Sequence, residues 1–286
     1  MKYVLHIFIC IVQCIDLLAQ SRKHLIIANE TSRQPLAYAT IKYTNKNIGF
    51  YTSESGEIDL ALVHDDTLII TYVGFIQKKV FGDLLKIDTI FLKPVSNILT
   101  ELIIKPHKPI DKPLEVGYMN EKTAFKSRSM IAVEFAVQVP LPEKYQLYKI
   151  SQIIISLQKT SIVNPVRIHI YEPASNMEPG DEILKEDIII KKVNGTNRFE
   201  IDVSLQNIVT SSKIIFIGLE WIENTYYRNK ISGPYTRFTT SLNEARTYTR
   251  TINDISHKWV KFNPNSASTL PPPNLIAGLK IQPLEN

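Results

Sequence analysis

Glu220, Glu223 and Asp254 flank a polar, aromatic stretch, and glycoside hydrolysis needs two carboxylates at a fixed separation. Glu220 lies between Leu219 and Trp221, so it either points inward or pairs with an arginine. Around it stand Tyr226, Tyr227, Tyr235 and Trp259, with Arg228, Glu223 and Asn224 nearby in sequence. Sugar faces stack on aromatic rings while planar polar side chains bond the hydroxyls. The same residue types are enriched at protein interfaces. The stretch thus supports a glycan site, a protein-partner surface or a hydrolase. Its candidate ligand-binding residues are Tyr226, Tyr227, Arg228, Tyr235 and Trp259. No catalytic residue is assigned, because no Gly-x-Ser-x-Gly elbow, phosphate loop or His-Glu-x-x-His is present.

His169 alternates with Arg167 and Tyr171, opposite Val166, Ile168 and Ile170, as on the solvent or groove face of a half-buried strand. No metal site is expected. The turn Thr52-Ser53-Glu54-Ser55-Gly56 offers one carboxylate, and a calcium loop needs several oxygen anions at alternate positions. No cofactor is implied.

The elements that must position these residues read almost entirely as β. Alternating or apolar runs cover Leu25 to Ile27, Ala37 to Tyr43, Ile58 to Leu62, Thr67 to Tyr72 and Thr89 to Leu92. After Leu102 to Ile104 comes KPHKPIDKPLEVG, whose three prolines favour an extended, semi-rigid linker. A second block includes Met130 to Val139, Ile150 to Leu157, Val166 to Tyr171, Ile188 to Ile190, Phe199 to Leu205, Trp259 to Phe262 and Leu275 to Ile281. Ile214 to Ile222 is nearly continuously apolar, as expected of a central strand buried on both faces. Ile222 to His257 reads as one long, tyrosine-rich loop.

Composition bounds the class. The chain has 286 residues, 44% hydrophobic and 21% charged, which suits one large or two modest globular domains. Net charge is +5, but Lys and Arg are scattered among carboxylates, so no nucleic-acid partner is expected. Met1-Lys2, the apolar run from Tyr3 and the close at Leu17-Leu-Ala-Gln20 match a signal peptide cleaved after Ala19. Both cysteines, Cys10 and Cys14, fall inside it, so the mature chain would hold no disulfide. An exported, cysteine-free chain suggests a Gram-negative envelope: periplasm, outer-membrane surface or secreted, with no membrane span after cleavage.

One family resemblance rests on motifs in order. Pro35-Leu36-Ala37-Tyr38-Ala39-Thr40-Ile41 is followed by Gly49, the Thr52 to Gly56 turn and Ile58-Asp59-Leu60. The Asp66 to Phe75 motif and Leu99 to Ile104 complete the set. Residues 21 to 105 thereby resemble the carboxypeptidase regulatory-like domain, departing from it at Ser53, where the family usually has Asp. The resemblance implies a transthyretin-like β-sandwich of about seven strands, non-catalytic, found beside metallocarboxypeptidases, before sugar-uptake receptors or free-standing. The zinc carboxypeptidase set of His-x-x-Glu with a later His is not expected among His24, His64, His107, His169 and His257.

The expected architecture is all-β. Residues 1–19 form a signal peptide, 20–105 the transthyretin-like sandwich, 106–117 a linker and 118–286 a second, jelly-roll-like sandwich. The expected role is a non-catalytic envelope binding module for glycan or an envelope protein. A structural or assembly component is the alternative, with a glycan hydrolase behind both. Recognition is expected in the tyrosine loop after Trp221, and the polar residues of TIKYTNKNIGFYTSESGEIDL are expected to serve only their own turns.

Overall fold

A computed structural model describes residues 24–46, 48–59, 67–81, 87–95, 108–127, 132–158, 165–191, 198–222, 234–252, 254, 256, 258–264 and 270–285. The fold is all-β, with one 3-10 turn at Ser204–Gln206 among the described residues. No described helix is long and apolar enough to cross a membrane.

The first sandwich is built by alternation. A three-stranded sheet, in the order Glu57–Asp59, His24–Asn29, Thr89–Leu92, faces a four-stranded sheet in the order Gly49–Tyr51, Thr40–Tyr43, Leu68–Thr71, Lys78–Val80. Leu25, Ile27, Ile41, Phe50, Leu68 and Ile70 meet in the core between them. Because side chains alternate across a strand, Thr40, Lys42, Tyr51, Ile69 and Thr71 must point out of that core. The Thr52 to Gly56 turn behaves as its residue types imply. Ser53 Oγ accepts from the Glu57 amide at 3.1 Å, and Gly56 takes φ +75°.

The second sandwich sets a seven-stranded sheet against a five-stranded one, with a further four-stranded sheet closing one side. The seven-stranded sheet runs Pro179–Glu182, Val166–Pro173, Ile214–Trp221, Val133–Pro140, Thr247–Thr251, Val260–Lys261, with Ile188–Ile190 also paired to Val166–Pro173. Its inner face sends Val166, Ile168, Ile170, Ile217, Leu219 and Trp221 into one large core. Phe135 anchors this core, edge-on to Trp221, Phe238 and Phe262 with centroids 5.7, 5.4 and 4.8 Å away. Each such buried side chain contributes roughly 1.5–3 kcal/mol of transfer free energy. Ile214–Trp221 is the central strand that its apolar run predicts, buried over nearly its whole length.

Two expectations are corrected here. Part of the linker is structural: Leu114–Gly117 pairs with Ala277–Leu284 as an edge strand, and Pro109 bridges to Leu284. The stretch from Ile222 to His257 is not one loop, because it contains the strands Tyr235–Thr239 and Thr247–Thr251. The Leu99 to Ile104 segment that closes the family resemblance lies outside the described residues.

The two sandwiches dock. The outer face of the four-stranded sheet lies over the outer face of the seven-stranded one, through a small apolar contact of Tyr38, Tyr51, Ala132, Ile222 and Ile252. Gly49 and Gly74 permit close approach: an added Cβ would lie 2.7 Å from Ile252 Cγ1 and 2.3 Å from the Lys185 carbonyl oxygen, respectively. Gly74 also holds φ +78°, where an L side chain is strained. Gly74→Ala is therefore expected to lower the unfolding free energy in urea by about 1–3 kcal/mol. An unchanged midpoint would show that this approach does not hold the sandwiches together.

Candidate functional site: a charged cleft between the sandwiches

A cavity of about 420 Å³ opens where the two outer faces meet. Its floor is the seven-stranded sheet, and register dictates the floor's chemistry. Arg167 stands opposite Glu220, Glu220 opposite Glu134, and Glu134 opposite Arg250, so four charges cross four adjacent strands in one row. Like charges directly opposite each other on neighbouring strands are destabilising. Glu134 and Glu220 are such a pair, and both are buried. The flanking cations make the row tolerable.

Arg167 is 2% exposed and fully engaged. Its Nε and Nη2 bond the Asp187 carboxylate at 2.8 and 3.2 Å, and Nη1 reaches Glu220 Oε2 at 3.1 Å. The first sandwich supplies the rest: Nη2 donates to the Tyr38 carbonyl at 2.7 Å and Nη1 to Thr40 Oγ1 at 3.4 Å. Tyr51 donates its hydroxyl to Glu220 Oε1 at 2.7 Å, again across the junction. On the far side, Arg250 Nε reaches Glu134 Oε2 at 2.7 Å, and Nη2 bonds the Tyr171 hydroxyl at 3.0 Å. Tyr171 in turn donates to Glu134 Oε1 at 2.7 Å.

His169 sits between two carboxylates, with Nδ1 2.5 Å from Glu182 Oε2 and Nε2 3.2 Å from Glu220 Oε2. Both ring nitrogens can donate only as imidazolium. Burial alone would push its pKa down, but Glu134, Glu182 and the two hydrogen bonds outweigh that and raise it to about 10. Burial likewise opposes ionisation of Glu220, yet His169 and Arg167 hold its carboxyl well below the usual range. The imidazole stacks on Tyr171, with centroids 5.4 Å apart. Gly218, beneath them, has no side chain to spare: a Cβ there would lie 2.7 Å from Glu134 Oε1 and 2.8 Å from His169 Cβ.

The roof comes from the first sandwich. Thr40, Lys42, Ile69, Thr71 and Tyr72 line it, with Gln77 near the mouth. Burial and then Arg250 lower the Lys42 pKa to about 8, against the opposite pull of Glu220 and Glu134. Burial first, and then Asp187, push the Tyr72 hydroxyl up to about 12. The cleft therefore presents charged groups, hydroxyls and two tyrosines to whatever enters it.

No family model matches the chain. No curated protein matches it either. Two solved structures resemble it in part. One comprises the cysteine protease and lectin-like domains of a surface layer associated protein of Clostridium difficile, with 12% identity, 53% of this chain and 32% of that chain covered, and a TM-score of 0.37. The other is the VP2 subviral particle of infectious bursal disease virus, with 9% identity, 87% and 62% covered, and a TM-score of 0.24. The matches span less than two thirds of either structure's own length. Likenesses this slight carry no argument about function.

Of the sequence-predicted ligand-binding residues, only Tyr235 and Trp259 lie among the described residues, and they do not share a site there. Tyr226, Tyr227, Arg228 and Glu223 lie outside the described residues. Tyr235 opens a strand, half-buried and in register with Gln158, and does not line the cleft. Trp259 is 9% exposed, edge-on to Tyr171 at 5.8 Å, and the Arg250 guanidinium lies 4.2 Å from its ring centre. Its ring is thus a seat for Arg250. Asp254 bonds the amide and hydroxyl of Ser256 at 2.9 and 2.7 Å and is not in the cleft with Glu220. The expectation about His-x-x-Glu also needs correction, since His169 has Glu172 three positions on. On a strand that spacing sends the two to opposite faces, and Glu172 accepts instead from Thr210 Oγ1 at 2.8 Å. No group of three or more His, Asp or Glu among the described residues could hold a metal ion.

Sequence reasoning picked out Arg167, His169 and Glu220 but missed Glu134, Arg250, Thr40, Lys42 and Tyr51. For the last three, the alternation of the first sandwich was the available signal, since it leaves them outside that core.

The network has a definite pH signature. A raised His169 pKa contributes stability that is complete below its ordinary value of 6.5 and fades as pH climbs toward about 10. A depressed Glu220 contributes stability that is complete above 4.5 and fades in acid. The stability gap between the native chain and His169→Phe should therefore narrow from about pH 6.5 to 10 in urea titrations; a gap independent of pH would mean a neutral imidazole. Glu220→Gln should cost about 3–5 kcal/mol, because Arg167 and His169 lose their shared anion.

Proposed function

We propose that the protein is a non-catalytic, exported binding module of a Gram-negative envelope, carrying a carboxypeptidase regulatory-like domain first and holding a saccharide in the cleft between its sandwiches. The observation that carries this reading is the cleft's set of polar groups, drawn from both sandwiches. Glu220 and His169 are driven away from neutrality in opposite directions, so neither is poised for proton transfer near pH 7, and Lys42, lowered to about 8, is the lining group that changes charge nearest neutrality. What remains is a cavity of about 420 Å³, within the common range for small-ligand sites of about 300–1,000 Å³, walled by hydroxyls, planar charged groups and tyrosines. Such walls suit the hydroxyls and flat faces of a sugar ring. The first sandwich is then more than a spacer, since it forms the roof.

A glycan array followed by calorimetry on the mature chain tests this. Thr71 lies on the half-buried roof, and Thr71→Trp would fill the cleft without touching either core. Saccharide binding should weaken at least about tenfold, or about 1.4 kcal/mol, with circular dichroism unchanged. Binding that survives the substitution would place the ligand elsewhere. A blank array would favour the second reading, an assembly component. That reading is supported by the half-exposed Ile76 and Val95 on adjoining segments of the first sandwich, at 49% and 52% exposure.

A further inference from the structure

The charges lining the cleft mostly answer one another. Four of the lining residues are cations, His169 included, and four are carboxylates. Glu220 is held by Arg167, His169 and Tyr51, and Glu134 by Arg250 and Tyr171. Glu182 takes His169 on one oxygen and the amides of Ile170 and Leu184 on the other, at 3.0 and 3.1 Å. Asp181 differs. It is exposed at the mouth, and its carboxylate accepts no hydrogen bond among the described residues.

A break in the strand puts it there. Along Pro179–Glu182, Tyr171 pairs with Glu182 and Pro173 with Pro179, so Gly180 and Asp181 together oppose the single residue Glu172. Such a β-bulge re-aims side chains. Regular alternation would send Asp181 and Glu182 to opposite faces, yet both line the cavity. Gly180 permits the bulge: a Cβ there would lie 2.8 Å from the Ala174 amide nitrogen and 2.9 Å from the Glu172 carbonyl oxygen. The first sandwich meets this end of the floor where Gly74 packs on the Lys185 carbonyl and Val73 on the second core. Gln77 stands three residues beyond Gly74, and Thr71 lies on the roof in register with Thr40. Both line the cavity, and neither side chain has a hydrogen-bond partner among the described residues.

We propose that the saccharide of this cleft is an uncharged sugar and that Asp181 is its specificity-determining residue. Two adjacent ring hydroxyls donate to the Asp181 carboxylate, while Thr71 and Gln77 meet other hydroxyls from the roof. The inference rests on the saccharide reading of the cleft and narrows it to neutral sugars. An ionised carboxylate only accepts, and neighbouring hydroxyls offer one donor to each of its oxygens. Bonds of this charge-assisted kind are stronger than neutral ones. The balanced charges of the lining give a charged sugar no net attraction, and the groups left uncommitted need no opposing ion.

The test is calorimetric titration of the mature chain with cellotriose, mannotriose, galactotriose and the strongest neutral glycan of the array. The galacturonate and glucosamine trimers serve as acidic and basic counterparts. At least one neutral sugar should bind, with an affinity that does not change as salt is raised. Asp181→Ala should weaken it at least about tenfold, and Asp181→Asn, which keeps one acceptor, should fall between. Because Asp181 is exposed and unbonded among the described residues, both variants should keep the native urea midpoint. Unchanged binding in Asp181→Ala would overturn the role of Asp181. A charged trimer that binds more tightly than every neutral sugar would overturn the uncharged ligand. Either result leaves a saccharide cleft in place. If nothing binds and the glycan array is also blank, the saccharide reading falls with it.

Discussion

Glu134 and Glu220 lie directly opposite each other on adjacent buried strands, and much of the structure answers that juxtaposition. Two carboxylates so placed repel, and burial makes each costly unless it is bonded and paired. The sheet responds within itself by placing Arg167 and Arg250 at the two ends of the row and His169 one step along the strand. That response is incomplete. Arg167 still has donors to satisfy, and Glu220 Oε1 still needs a hydrogen bond. The first sandwich supplies both, through the Tyr38 carbonyl, Thr40 and the Tyr51 hydroxyl. Docking of the sandwiches and neutralisation of the row are thus one event.

This explains why a face that would otherwise be the wet side of a sheet is closed. Buried ion pairs are weak contributors to net stability, because desolvation offsets most of their attraction. They do select orientation, since a rotated or shifted first sandwich would leave Arg167 with unmatched donors in a dry place. The apolar part of the junction, with Tyr38, Tyr51, Ala132, Ile222 and Ile252, is small and could tolerate several arrangements. The charge row tolerates few. Where the two faces diverge beyond it, the space remains as the cleft.

The sequence carries the fold well and the site unevenly. The alternation in Val166 to Tyr171 tells which side chains leave the core, and the apolar run to Trp221 marks the central strand. Glu220, set between two core residues, announces a partner. The row itself is not legible, because it depends on register among four strands that lie far apart in the chain. Nor is the roof, because Arg167 and Tyr38 are 129 residues apart and nothing local signals that two outer faces will meet. Tyr235–Thr239 and Thr247–Thr251 were hidden for a different reason. YTRFT and TYTRT are polar enough to read as loop, yet threonine and tyrosine fit a pleated sheet well, and the neighbouring strands decide between the two. Leu114–Gly117 shows the same override, where a proline-rich context hides a short edge strand with a ready partner.

Trp259 illustrates how the neighbours of an aromatic side chain add to what the sequence says of it. An indole in a polar stretch suggests a ring waiting for a sugar. Here the Arg250 guanidinium lies 4.2 Å from its centre, and Tyr171 meets it edge-on. A cation held over an indole gains about 0.5–2 kcal/mol, enough to fix one rotamer of a long, flexible side chain. That rotamer brings Arg250 to Glu134 and so completes the row from its far end. The tryptophan acts one layer behind the cleft, by fixing the position of a cation that faces it.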